Sequence, residues 1–316
     1  MRHFLDFEKP IAALEGKIQE LRHLTDETDI NIAEEIGKLQ IRIEKELTQT
    51  YQTLGADKVQ VARHPERPKL SQIIAHVTEE FVPLSGDRNF AEDYAIIGGL
   101  AKFRGRDVVI MGTDKGATTE ERIKRNFGMA RPEGYRKAIR LMEMADKFGL
   151  PVLSFVDTAG AYPGRGAEER GQAEAIARSI QTCLNLTVPM VTAIVGEGGS
   201  GGAIALATAN RLVMFEHAVY SVISPEGCAS ILWRSGEHAQ KAAEALRLTA
   251  QDMLTLGVID QIVEEPLGGA HRDIAGAITS LADGVEKQLN ELSSLTATAV
   301  KADRRAKYIA IGDKGL

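Results

Sequence analysis

Two cysteines in 316 residues, Cys183 and Cys228, are too few for a zinc ribbon and too sparse for a disulfide scaffold. Both are expected to be small buried hydrophobes. Positive charge is also in short supply. The chain has 38 Lys and Arg against 44 Asp and Glu, a formal net charge of −6, which argues against a nucleic-acid partner. No apolar run is long enough to span a membrane, and the opening MRHFLDFEKP carries charge where a signal peptide needs an apolar stretch. The expectation is a cytoplasmic protein with no membrane contact and no metal of its own. What remains is an ordinary globular composition, 44% hydrophobic and 26% charged, with enough chain for a large core and an extra lobe.

Residues 1–55 read as a helical hairpin broken at LTDETD. In its second arm Ile32, Ile36, Leu39, Ile43, Leu47, Tyr51 and Leu54 recur every three or four positions as one apolar stripe. Residues 1–54 hold 7 Lys and Arg against 11 Asp and Glu, net −4, which suits a protein contact or a layer on its own domain. RHPERP at 63–68 breaks the pattern with two prolines, and Ser71 is placed to cap a helix over 72–81. AIIGGLAKFRGRDVVIMG reads as two strands joined at Arg-Gly. A helix follows, with Pro132 near its start and Gly149 after its end. Two similar units come next. PVLSFVDTAGAYPG is an apolar strand entering a glycine-rich turn, followed by a helix over 168–186. VPMVTAIVGEGGSGG repeats the pattern before the short helix AIALATA. RLVMF and AVYSVI add strands, QDMLTLGVIDQIV is a helix turning into a strand, and the chain from about 272 is helical. The alternation predicts an α/β fold with mostly parallel pairing.

GEGGSGG, residues 196–202, has five glycines in seven positions and admits three chemistries. Gly198 to Gly202 match G-x-S-x-G, which would make Ser200 a nucleophile. That reading needs a base and an acid from His217, His238, His271, Asp252, Asp260 and Asp273, none of which has a catalytic context. Gly196, Gly198 and Gly201 match G-x-G-x-x-G, with Glu216 available to hold a ribose. The helix up to Asn210 is too short for that βαβ unit. In the third reading, glycines let backbone N–H groups at a helix start reach a developing oxyanion. It accounts for two glycine-rich turns in series, since DTAGAYPGRG brings Gly160, Gly164 and Gly166 as well.

PVLSFVDTAGAYPG, VPMVTAIVGEGGSGGAIALA, YSVISPEGCASILW and LTLGVIDQIVEEPLGGAHR occur in the order of the crotonase superfamily. With RNFGMARPEGYRKAIRLM upstream, they resemble the family of carboxyltransferase alpha subunits of bacterial acetyl-CoA carboxylase over nearly the whole chain. Ala159 departs from the proline that family leads one to expect, a change that would loosen the loop. The resemblance implies a crotonase-like ββα spiral domain over 56–295, the hairpin 1–55 before it and a helical tail 296–316 after it. It implies transfer of a carboxyl group from carboxybiotin on a carrier protein to acetyl-CoA, giving malonyl-CoA, the first committed intermediate of fatty-acid synthesis. The implied partners are a zinc-ribbon-bearing beta subunit that serves acetyl-CoA, the biotin carboxyl carrier protein and, in the wider complex, biotin carboxylase.

Carried over by motif, Gly201 and Gly202 are the N–H donors to biotin, and a branched side chain at either would obstruct it. Gly198 and Gly199 shape the turn, and Gly160, Ala161 and Tyr162 line the facing wall. A basic segment from Arg122 to Arg140 holds 7 Lys and Arg against the single acid Glu133. Arg125 and Arg136 within it could bind CoA phosphates or carboxybiotin, or form a solvated helix face. Two other classes stay open. One is a self-sufficient crotonase-type hydratase or isomerase using Glu197 or Glu226. The other is a non-catalytic member whose glycines only pack.

Overall fold

The computed structural model describes residues 3–23 and 29–312. Helices α1 (Lys9–His23) and α2 (Asp29–Gln52) are the two arms of the expected hairpin, and most of the LTDETD break lies outside the described residues. Ile43, Leu47, Tyr51 and Leu54 of the stripe are buried with Ile11, Leu14 and Ile18 of α1 and with Val61. The stripe is therefore covered largely within this chain. Glu8, fully buried, ties the arms to the body: it accepts from the Tyr51 hydroxyl and pairs with Arg272, which also reaches Glu15.

After α3 (Lys58–Ala62) comes α4 (Leu70–Val77), shorter than the helix expected over 72–81. Lys69, not Ser71, stands at its N-cap, and the Ser71 N–H donates to Asp114 instead. Thr78 begins β1 (Thr78–Pro83), since β2 (Ile96–Phe103) offers a free edge with which it pairs antiparallel. β2 and β3 (Arg106–Thr113) form the expected hairpin, with Arg104 and Gly105 both at positive φ as a tight two-residue turn requires. α5 (Thr119–Lys124) precedes α6 (Pro132–Phe148), opened by Pro132 and closed by Gly149 in the left-handed region. β4 (Val152–Thr158) is buried along its whole length. The helix expected over 168–186 is interrupted at Gly171, φ +81, into α7 (Arg165–Glu169) and α8 (Gln172–Asn185). β5 (Met190–Gly199) runs into α9 (Ser200–Ala207). β6 (Arg211–Phe215) and β7 (Val219–Ser221) follow, the latter covering half of AVYSVI. α10 (Pro225–Trp233) and α11 (Ala239–Leu246) have no counterpart in the sequence reading. α12 (Ala250–Thr255), β8 (Gln261–Val263), α13 (Ile274–Leu292) and α14 (Ala297–Ala310) complete the chain.

The strand order is β1-β2-β3-β4-β5-β6-β8, antiparallel through β3 and parallel from there on. β5 changes neighbour along its length. Val191–Ile194 pair with β6, whereas Glu197–Gly199 pair with β7. Between the pairs Val156–Ile194 and Thr158–Gly198, β4 advances two residues and β5 four. This bulge lets β5 leave one partner for the next, and it stands immediately before the glycine turn. Cys183 is buried, with its thiol pushed up to about 12 by burial, and Cys228 is half-buried.

His271 lies buried against His64, ring centroids 3.7 Å apart. Burial, with His64, Arg67 and Arg272 beside it, pushes its ring down to about 2. The unfolded chain takes up this proton near pH 6.5, and the native site refuses it until far lower. Stability should therefore hold above pH 6.5 and fall below it, by at most roughly 1.4 kcal/mol per pH unit from this residue. Thermal melts between about pH 7.5 and 5 check this. His271→Phe should flatten the slope, and an unaltered slope would assign it to other groups.

Candidate functional site

The two glycine-rich turns lie against each other at the ends of β4 and β5. A Cβ on Gly199 would come within 2.1 Å of the Ala159 carbonyl oxygen, and one on Gly202 within 2.6 Å of Gly160 C and 2.7 Å of Ala161 N. Only glycine permits these approaches. Residue 159 touches Gly199 through its backbone, which alanine and proline share. A Cβ on Gly198 would come within 2.6 Å of the Tyr220 ring. Gly201 differs: a Cβ there would meet Ile176 at an ordinary 3.5 Å. Within the chain itself the two positions differ, because position 201 faces a side chain and position 202 faces backbone.

α9 begins at Ser200, so Ser200, Gly201 and Gly202 form its first turn, whose N–H groups have no carbonyl one turn earlier in the helix. Among the described residues no side chain caps α9 at Gly199. Ser200 has φ +53, a strained conformation for a residue with a Cβ. Gly160 is buried, while Ala161 and Tyr162 are half-buried. The Tyr162 N–H donates to the Ala130 carbonyl, and its ring carries the Arg131 guanidinium at 4.7 Å. A small cleft of about 20 Å³ is lined by Ala159, Gly198, Gly199, Arg63, Glu197 and Ser221, among others. Gly201 and Gly202 do not line it.

Charged side chains hold the strand that feeds this turn. Arg67, fully buried, donates through Nε and Nη2 to the Val195 carbonyl at 3.0 and 2.7 Å and pairs with the buried Glu265. The Glu197 N–H donates to Asp157 Oδ1 at 2.9 Å. Lys115 Nζ stands 2.8 Å from both Asp157 Oδ1 and Glu197 Oε2. Burial alone would raise the Asp157 carboxyl, but Lys115 and Lys69 hold it below the usual range. Arg63 joins Glu197 to Glu226 at 2.6 Å each. Sequence reasoning missed Arg63, Arg67, Lys115, Asp157 and Glu265. The two arginines of RHPERP, Arg63 before Pro65 and Arg67 between Pro65 and Pro68, were the one available signal.

The rival readings fare poorly in this geometry. The candidate bases and acids for Ser200 are engaged elsewhere. Asp252 caps α12 with Thr249, Asp273 caps α13, and Asp260 accepts from the Leu212 N–H and pairs with Lys307. His217 is buried beside Tyr51, His271 is stacked on His64, and His238 stands against Trp233. Glu216 Oε2 stands 3.9 Å from the His217 ring and accepts from the Glu265 N–H at 3.4 Å. Glu197 and Glu226, the carboxylates a hydratase would use, are both bound by Arg63. Arg125 bonds the Tyr94 carbonyl and lines a separate cleft with Lys137, and Arg136 bonds the Arg170 carbonyl ahead of α8. Among the described residues no three His, Cys, Asp or Glu are placed to hold a metal, and no helix is long and apolar enough to cross a membrane.

Comparison with known proteins gives the family. The family model "Acetyl co-enzyme A carboxylase carboxyltransferase-like" matches residues 4–312. The acetyl-coenzyme A carboxylase carboxyl transferase subunit alpha of Rhodospirillum centenum is 62% identical over 315 residues, covering 99% of both chains. The protein of the same name from Paramagnetospirillum magneticum is 61% identical over 315 residues, again covering 99% of both. Among solved structures, transcarboxylase 12S superposes with a TM-score of 0.55 at 19% identity, over 69% of this chain and 42% of that one. At that identity the likeness shows the fold, which is the crotonase fold of carboxyltransferases. The chain belongs to the acetyl-CoA carboxylase carboxyltransferase alpha-subunit family, and it is a carboxyl-transferring enzyme subunit.

Proposed function

We propose that the first turn of α9 is the oxyanion site of this carboxyltransferase. The observation that carries the reading is the uncapped start of α9 at Ser200, with Gly202 pressed onto the Gly160–Ala161 backbone. A helix start with free N–H groups favours negative charge. Carboxybiotin arrives on a separate carrier protein as a substrate and supplies the carboxyl group. Gly201 and Gly202 offer their N–H groups to the ureido oxygen, where charge grows as the carboxyl leaves. Gly198 and Gly199 shape the turn, and Gly160, Ala161 and Tyr162 form the opposite wall. Beyond the main-chain bonds they make, Arg125 and Arg136 have further donors for an anionic substrate. In this reading the chemistry belongs to residues 56–295, with the hairpin 1–55 and the tail 296–316 outside it.

Acetyl-CoA accepts the carboxyl group and becomes malonyl-CoA, which feeds fatty-acid synthesis. Its enolate is a second oxyanion and needs a second set of donors. These belong to a homologous beta subunit that bears the zinc ribbon this two-cysteine chain lacks, and the biotin carboxyl carrier protein and biotin carboxylase complete the system. Two features of this chain support the reading. It has one pair of facing glycine turns among the described residues, and the carboxylates of Glu197 and Glu226 are both tied up in ion pairs with Arg63. The purified chain is expected to form no malonyl-CoA from carboxybiotin and acetyl-CoA, and to do so once a beta subunit is added. Full turnover by the chain alone would overturn the division of labour.

A further inference from the structure

The buried charges beneath the glycine turn are used by no step of that reaction, yet they converge on three consecutive residues. The Val195 carbonyl takes both Arg67 bonds. Gly196 has no room for a side chain: a Cβ would lie 2.5 Å from Asp157 Oδ1 and 2.9 Å from the Ala62 carbonyl. Glu197 is held through its N–H by Asp157 and through its carboxylate by Lys115 and Arg63. These are the residues at which β5 departs from register with β4. A bulge leaves backbone groups without ladder partners, so its shape must come from other contacts.

We infer that Lys115, held between Asp157 and Glu197, is a positioning residue that locks the β5 bulge and so sets the direction in which the first turn of α9 presents its N–H groups. Two residues, Gly198 and Gly199, separate Glu197 from Ser200, and both pair with β7. A shift of the bulge therefore has little chain in which to dissipate before it reaches the donors. The Lys115 ammonium faces two carboxylates whose side chains are 8% and 11% exposed, with Arg63 adding a second cation on the Glu197 side. Without the ammonium, Asp157 and Glu197 face each other as like charges, and the bond from the Glu197 N–H to Asp157 is the one they would pull apart.

The inference rests on reading α9 as the oxyanion site, so the experiment separates the two. The full chain carrying Lys115→Met is reconstituted with a beta subunit. Amide hydrogen exchange is followed at 195–202 alongside turnover. Exchange there should quicken by about tenfold or more, while the β2–β3 hairpin stays at its wild-type rate. Turnover should fall by about 10- to 100-fold with KM for acetyl-CoA changed less than about twofold, since donors rather than binding are displaced. Should Lys115→Met not fold, Glu197→Gln keeps the Lys115–Asp157 pair and is expected to show the same local change at smaller amplitude. Wild-type exchange at 195–202 in the folded variant would overturn the inference. Faster exchange with unchanged turnover supports the lock and overturns the oxyanion role of α9.

Discussion

Gly202→Val is expected to leave a chain that scarcely transfers carboxyl groups, while Ser200→Ala keeps most of the activity. A side chain at 202 starts 2.6 Å from Gly160 C and 2.7 Å from Ala161 N, both backbone atoms, so one of the two turns must move. Movement turns the N–H away from the charge it is meant to hold. Loss of one such donor costs about 10²–10³ in rate, or roughly 3–4 kcal/mol. The loss should fall on kcat and spare KM, because the charge develops only in the transition state. Gly201→Ala is the spatial control. It keeps its N–H and meets Ile176 at 3.5 Å, so it should stay near wild type. Serine and alanine share the strain of φ +53 at position 200, and with α9 as the proposed oxyanion site the hydroxyl forms no covalent bond. Kinetics of the reconstituted enzyme, with a thermal melt of each variant, check the ranking. A dead Ser200→Ala beside an active Gly202→Val would return the turn to the hydrolases.

Arg67→Met is expected to be the most damaging single change to stability. The side chain is fully buried, as is its partner Glu265, and the two form paired bonds of 2.9 and 2.7 Å. Removing one member of such a pair leaves a buried charge uncompensated, at about 3–5 kcal/mol. The Val195 carbonyl loses both of its bonds at the same time. The melting temperature should fall by about 10 °C. Pairing the change with Glu265→Leu should recover part of that loss, because the stranded carboxylate goes with it. Acid should act similarly. Burial alone would raise the Glu265 carboxyl, and Arg67 holds it down at about 2. The pair then contributes fully above pH 4.5, the ordinary value, and its contribution is lost as pH falls toward 2. A single variant as stable as wild type would show that the pair adds nothing to the fold.

Local chemistry was legible along the chain wherever a short segment carries its own instructions. Pro132 and Gly149 bound α6 because one lacks the donor a helix start wastes and the other tolerates a left-handed φ. Arg104-Gly105 turns the β2–β3 hairpin, and the α2 stripe shows its period in the residue order. The glycine turns were visible for the same reason, since a backbone approach needs glycine whatever lies opposite. Local pattern failed where a neighbour distant in sequence decides. Thr78–Pro83 is a strand because β2 has an open edge, not because of its own residues. The stripe of α2 specified burial, but only the folded chain showed that α1 and Val61 provide the cover. Lys115, Asp157, Glu197 and Arg67 are ordinary surface residue types in a linear reading. They become a lock because strands far apart in sequence end side by side, and because charges removed from water are held only by one another. The sequence by itself determined where the two glycine-rich turns fall in the chain. The tertiary structure decided which glycine cannot be replaced and which buried charges hold the second turn in place.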